Sequence, residues 1–232
     1  MEIAISIAVT VALAAFVSLT RFRERVNTLE TKIRRLRELS SKELEYRELA
    51  ADDPSAAPLA AFDAELAAAG VTVLGTMVDV AEPVPSRWFV DRAGTSFGWV
   101  ARIDHTHAAV VVSRRGDEVY QTRRSFAAVA LAQPPWAHRQ TVRTGLTLAE
   151  LLAHHHELVG DRPELAQVAS LADLARELTE TRARNQAWRN AQDPAELLDR
   201  DLRGILGKHY DGPLGAKLAR RLAVELPRAR AL

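Results

Sequence analysis

The rhythm of apolar and polar positions changes three times along the chain. Ile3 to Leu19 carries no charged residue, and its polar positions are Ser6, Thr10 and Ser18. A helix of this length rises about 26 Å, the low end of a bilayer's hydrocarbon thickness. Thr20 and the stems of Arg21 and Arg23 extend the span by reaching toward the interface. The next rhythm is a helical seam in which Leu19, Phe22, Val26, Leu29, Ile33 and Leu36 recur at threes and fours. That spacing continues directly out of the apolar segment as a short coiled-coil stripe, and its register lapses at Ser40 and Glu43. Pairs such as Glu38 with Lys42 and Glu43 with Arg47 extend the expected helix.

Ala50 to Pro58 breaks the pattern with two prolines among small and polar residues, so it reads as a linker. Pro58 suits a first helical position, Leu59, Phe62, Leu66 and Ala69 share one helical face, and Gly70 ends the helix. From Val71 the period becomes two. "VTVLGTMVDV", "RWFV", "SFGWVARID", "AAVVVS" and "EVYQTRR" read as strands, with Gly75 marking a bulge and "RRGD" a hairpin turn. "RQTVR" adds an edge strand. The expectation is an antiparallel meander of four to five strands packed on helices, an α+β architecture. "TLAELLAHHHELV" is a helix with Thr147 as cap and Glu150 closing a capping box. Three further helical patterns follow, opened by Pro163, Asp193-Pro194 and Gly212-Pro213.

These boundaries give a transmembrane anchor at residues 1–20, a juxtamembrane helical stalk at 21–50, a linker at 51–58, an α+β domain at 59–160 and a helical C-terminal region at 161–232. Residues 20–37 hold seven arginines and lysines against Glu24 and Glu30. The positive-inside rule therefore places this flank in the cytoplasm and the N-terminus outside the cytoplasmic (inner) membrane. Glu2 is the charged side chain ahead of the apolar run, whereas a cleaved signal wants a basic one there. Arg25 of one stalk can meet Glu30 of a second in a parallel homodimer, although Lys32 then faces Arg37.

Composition narrows the chemistry. The net charge is +1, so no global attraction to nucleic acid exists. The absence of cysteine removes disulfides, thiolate metal sites and thiol nucleophiles. There is no G-x-G-x-x-G, no P-loop and no G-x-S-x-G around Ser113. The candidates that remain are two histidine clusters. In "DHTH", Asp104 precedes His105 and His107, which share a face if the segment is extended. His154-His155-His156 fan out by about 100° per residue on a helix, so they cannot chelate one ion together. Glu150 with His154, or His154 with Glu157, forms a two-ligand arrangement at most. The metal candidates are therefore Asp104, His105, His107, Glu150 and His154, and no catalytic residue and no cofactor is assigned. Arg102, Arg114, Arg115, Arg123, Arg124, Arg139 and Arg143, with Trp88, Trp99 and Trp136 nearby, suggest an anionic-ligand or nucleic-acid surface, offset by Asp91, Asp104, Asp117 and Glu118.

"AGVTVLGTM", the meander after it, "LAQPPW" and "LAELLAHH" together resemble a domain of bacterial membrane-anchored proteins to which no activity is assigned. The resemblance spans residues 59–160 and implies a compact meander-plus-helix domain. The expected function is a single-pass membrane protein presenting a cytoplasmic interaction or ligand-sensing domain, non-enzymatic, whose partners are the bilayer and a protein. The alternatives are a membrane-tethered metal-dependent enzyme built on the histidine clusters and a protein that binds anions or nucleic acid.

Overall fold

The computed structural model describes residues 2–41, 45–50, 52–79, 84–103, 106–124, 131–160 and 165–224; within the first helix, side chains are described from Ser18 to Glu38. Among the described residues the chain is mixed α+β, with six α-helices and one seven-stranded sheet. It divides into two compact units.

The first unit joins residues 1–41, 129–132 and 191–232. Helix α1 runs unbroken from Glu2 to Ser41. Phe22, Val26, Leu29 and Ile33 pack against α5 (Pro194–Leu206) and α6 (Pro213–Ala223), chiefly on Leu198, Leu202, Leu206, Leu214, Leu218 and Leu222. The seam from Phe22 to Ile33 thus packs within the chain, while Leu19 stays 59% exposed. Arg221 bridges α6 to α1 by donating to Glu30 Oε2 and Asn27 Oδ1, each at 2.8 Å. Asp193 caps α5 by accepting from Ala195 and Glu196 N–H. The carboxylate of Asp201 is fully buried; it accepts from Ala132 N–H at 2.7 Å and lies 3.8 Å from Arg37. No helix among the described residues is long and apolar enough to cross a membrane. The expected Ile3–Leu19 anchor falls largely on side chains outside the described residues.

The second unit joins residues 42–128 and 133–190. Its strands are β1 (Tyr46–Glu48), β2 (Thr72–Asp79), β3 (Pro85–Val90), β4 (Phe97–Ile103), β5 (Thr106–Arg115), β6 (Glu118–Arg124) and β7 (Ala137–Val142), adjacent in that order. Pairing is antiparallel from β1 to β6, and β7 lies parallel to β6. The four- to five-strand expectation is therefore too small. The extra strand at the start is β1, in a stretch whose charge spacing suggested helix. Tyr46 and its neighbours pair with β2 instead, because the aromatic ring packs beside Trp88.

The expected linker also changes character. Residues Pro54–Phe62 form a 3-10 helix whose cap, Asp53, accepts from Ser55 N–H at 2.9 Å. Ala56, Leu59 and Phe62 are buried, so burial of three apolar side chains outweighs the breaking tendency of the prolines. With α2 (Asp63–Ala69) and α3 (Leu148–Val159) they cover one sheet face through Leu66, Phe89, Val100, Ala109, Val111 and Leu151. The other face meets Val168 and α4 (Leu171–Ala191) through Met77, Trp88, Val90, Phe97, Leu171 and Leu174. At Gly75 the β2–β3 register shifts, as the bulge reading requires; its φ is +155°, and a Cβ there would meet Leu171 at 2.6 Å.

Candidate functional site: an aromatic cleft on the sheet

The β3–β4 register sets Trp88 opposite Trp99 and Ser86 opposite Ala101, so these side chains share one face. At the sheet edge, Tyr46 of β1 stands opposite Asp79 of β2. Together with Val84 and Ile103 these residues line a cleft of about 180 Å³. Tyr46 meets Trp88 edge-on, with ring centres 6.0 Å apart, and Trp88 lies 6.3 Å from Trp99. Such tilted arrangements let ring edges face ring faces. Trp88 donates its indole N–H to Ser86 Oγ at 2.8 Å, and Ser86 donates to the Met77 carbonyl at 3.2 Å. The Trp88 ring is thereby fixed before any ligand arrives. Burial raises the Tyr46 phenol pKa above its ordinary value, Asp79 adds to the rise and Arg182 opposes it. Tyr46 is neutral at physiological pH and available as a hydroxyl donor or acceptor. The cleft suits an apolar or aromatic group carrying one polar tip.

The histidines separate. Asp104 and His105 lie outside the described residues. His107 lies against Phe62 in a tilted arrangement, ring centres 4.8 Å apart. Glu150 is occupied in the capping box, accepting from Thr147 N–H at 2.7 Å and from its hydroxyl at 2.8 Å. His154 sits 3.4 Å from Glu157 and His156 sits 3.7 Å from Asp91, both near the surface. His155 alone turns inward and contacts Ser113, six residues along β5 from His107, or about 20 Å of extended chain. Among the described residues no group of three or more metal-ligating side chains occurs.

His155 belongs to a buried polar cluster that sequence spacing does not reveal. Its Nε2 is 3.0 Å from Ser113 Oγ and its Nδ1 is 3.1 Å from Thr122 Oγ1. Ser113 is also 2.9 Å from Ser96 Oγ and donates to the Thr95 carbonyl at 3.0 Å. Ser113 has one proton, and the Thr95 carbonyl takes it. Ser113 must therefore accept from both Ser96 and His155, which assigns the histidine proton to Nε2 and makes Thr122 the donor to Nδ1. A serine nucleophile needs the opposite arrangement, with its proton aimed at the imidazole. His155, Ser113 and Thr122 are all fully buried, and Ser96 is 1% exposed. The cluster ties α3 to β5 and β6.

Most of the sheet arginines are matched by carboxylates. Arg87 pairs with Asp63, Arg115 with Glu118, and Arg114 with Glu177 and Glu180 at 2.6 and 2.8 Å. Arg124 is buried and grips Glu65 at 2.5 Å while donating to the Leu146 carbonyl. Arg123 and Arg139 are different: their partners are the Thr141 hydroxyl and the side-chain amides of Gln121 and Gln133. Comparison of the chain with models of known families, with curated proteins and with solved structures finds no match.

Of the residues that build the cleft, Trp88 and Trp99 were visible as strand aromatics. Tyr46 was missed because its segment reads as stalk helix. The signal available was the aromatic placed just before a charged, non-periodic stretch.

Proposed function

We propose that the chain is a single-pass protein of the cytoplasmic membrane, with its N-terminus outside and its folded part in the cytoplasm, and that it binds a ligand or protein partner without catalysing a reaction. The observation that carries this reading is the continuity of α1. One helix contains the uncharged Ile3–Leu19 stretch and, a few turns later, Val26 and Ile33, which are 1% and 0% exposed in the helical core. The helix that would enter lipid is therefore itself a structural member of a folded unit rather than a loose tether. Its arginine collar, Arg21, Arg23 and Arg25, is suited to anionic headgroups.

The cleft walled by Tyr46, Trp88 and Trp99 supplies the binding surface. Its rings offer apolar contact, and Ser86 and the Tyr46 hydroxyl fix orientation. The buried Ser113–His155 cluster favours a binding role, since its protons are committed to holding the sheet to α3.

The reading is tested by indole N–H resonances of the full chain in detergent micelles. The chain has four tryptophans, each with its own resonance. Titration with 4-hydroxyphenylacetamide, an aromatic probe with polar tips, is expected to move the Trp88 and Trp99 signals saturably and leave those of Trp136 and Trp188 in place. Absence of any saturable movement, or equal movement of all four, would contradict the cleft as a binding site.

A further inference from the structure

A second site lies at the other end of the sheet, and its chemistry differs from that of the cleft. The parallel register of β6 and β7 sets Gln121 opposite Arg139 and Arg123 opposite Thr141. Arg123 and Arg139 are thus diagonal neighbours on one face, their Cα atoms about 8 Å apart from strand spacing and rise. Arg123 Nε donates to Thr141 Oγ1 at 2.9 Å. Arg139 Nε donates to Gln121 Oε1 at 2.6 Å and Nη2 to Gln133 Oε1 at 3.1 Å. Neutral oxygens orient both guanidiniums, and among the described residues no carboxylate pairs with either. Burial weakens the hold of each guanidinium on its proton, and Arg123 further disfavours charge on Arg139. Two like charges on neighbouring strands, both partly desolvated, cost free energy unless an anion joins them.

The surroundings are consistent with such an anion. Arg139, Gln121, Gln133, Trp136 and Asn185 line a cavity of about 70 Å³ between β6, β7 and α4. Over the Trp136 ring lies the Arg184 guanidinium, 4.3 Å from its centre, with a buried Nη1 that has no hydrogen-bond partner. The other nitrogen of Arg184 donates to the Asp117 carbonyl at 2.9 Å and faces its carboxylate at 3.2 Å, so its charge is already matched. Among the described residues, Arg123 and Arg139 are the neighbouring pair here without a carboxylate partner.

We propose that Arg123 and Arg139 hold a phosphoryl dianion against the β6–β7 edge of the sheet. Charge decides between anions. A carboxylate carries one negative charge and is satisfied by a single guanidinium fork. A phosphomonoester carries nearly two and presents oxygens in several directions, matching two forks that come from different strands. The site rests on neither the anchor nor the aromatic cleft. The same group arrives either on a small soluble phosphate ester or on a phosphomonoester lipid headgroup.

The test is calorimetric titration of the full chain in mild detergent with glycerol phosphate, at constant ionic strength and in a phosphate-free buffer. Saturable binding is expected, weakened by roughly tenfold or more in the Arg123→Gln/Arg139→Gln double variant. Arg102→Gln, on an exposed residue of β4, should bind as the native chain does. Arg139→Lys keeps the charge and loses the fork, and should bind more weakly than the native chain while melting at the same temperature. Titration with dihexanoyl phosphatidate separates the sources: markedly tighter binding than glycerol phosphate assigns the group to a lipid, and equal binding to a soluble ester. No saturable binding by the native chain, or equal binding by the native chain and the Arg139→Lys variant, would overturn the proposal.

Discussion

Ser113 shows how one proton decides what a residue can do. A serine beside a histidine invites a hydrolytic reading, yet the Thr95 carbonyl accepts the serine's only hydrogen and the imidazole donates toward the serine. The same burial sets the histidine's acid–base behaviour. Desolvation, with a smaller push from His156 and an opposing pull from Asp91, lowers the His155 pKa to about 4. An unfolded histidine titrates near 6.5. Between those values the unfolded chain binds a proton that the folded chain refuses, so stability rises with pH through that window and is complete above it. The contribution lost by pH 4 is about 3 kcal/mol. Urea midpoints measured from pH 4.5 to 7.5 should therefore climb in the native chain, and the climb should be shallower in His155→Gln. Parallel curves for the two proteins would show that His155 does not carry the effect.

Among the elements, α3 was the most legible. Thr147 and Glu150 form the capping box that their spacing implies, each side chain holding the other's backbone or hydroxyl group. The period-two runs gave β2 to β6, and Gly75 gave the bulge, because alternation and φ are local properties. What escaped sequence reading depends on distant partners. β1 becomes a strand only because β2 offers an edge, and the parallel pairing of β7 depends on the chain returning past β6. The stripe on α1 was visible, but nothing in its own spacing says that α5 and α6 cover it. The candidate site was legible to a smaller degree, since Trp88 and Trp99 alternate visibly while Tyr46 and the unmatched pair Arg123 and Arg139 need the sheet order to meet. The α1 packing makes a discriminating prediction. Ile33→Ala should destabilise the helical unit by about 2–5 kcal/mol, as truncations in close-packed cores do. Leu19→Ala should change stability by no more than about 0.5 kcal/mol. Hydrogen exchange of α5 and α6 amides reads both. Equal effects at the two positions would show that the stripe serves an interface outside the chain.

Taken whole, the molecule combines a helix-built unit that contains α1 with a sheet unit that carries two chemically distinct surfaces. The cleft is aromatic, with Trp88 held by hydrogen bonds through Ser86. The β6–β7 edge presents Arg123 and Arg139, which have no carboxylate partner among the described residues. Under the proposed anchoring both surfaces would gain from being held at a membrane, where tethering raises the local concentration of anything that shares it. That advantage, unlike the two surfaces themselves, depends on Ile3–Leu19 residing in lipid. The direct measurement is alkaline carbonate extraction of membranes from cells making the full chain, beside a variant lacking residues 3–19. The full chain should stay with the membrane pellet and the shortened variant should be released. Recovery of the full chain in the carbonate supernatant, in the same proportion as the variant, would contradict membrane anchoring.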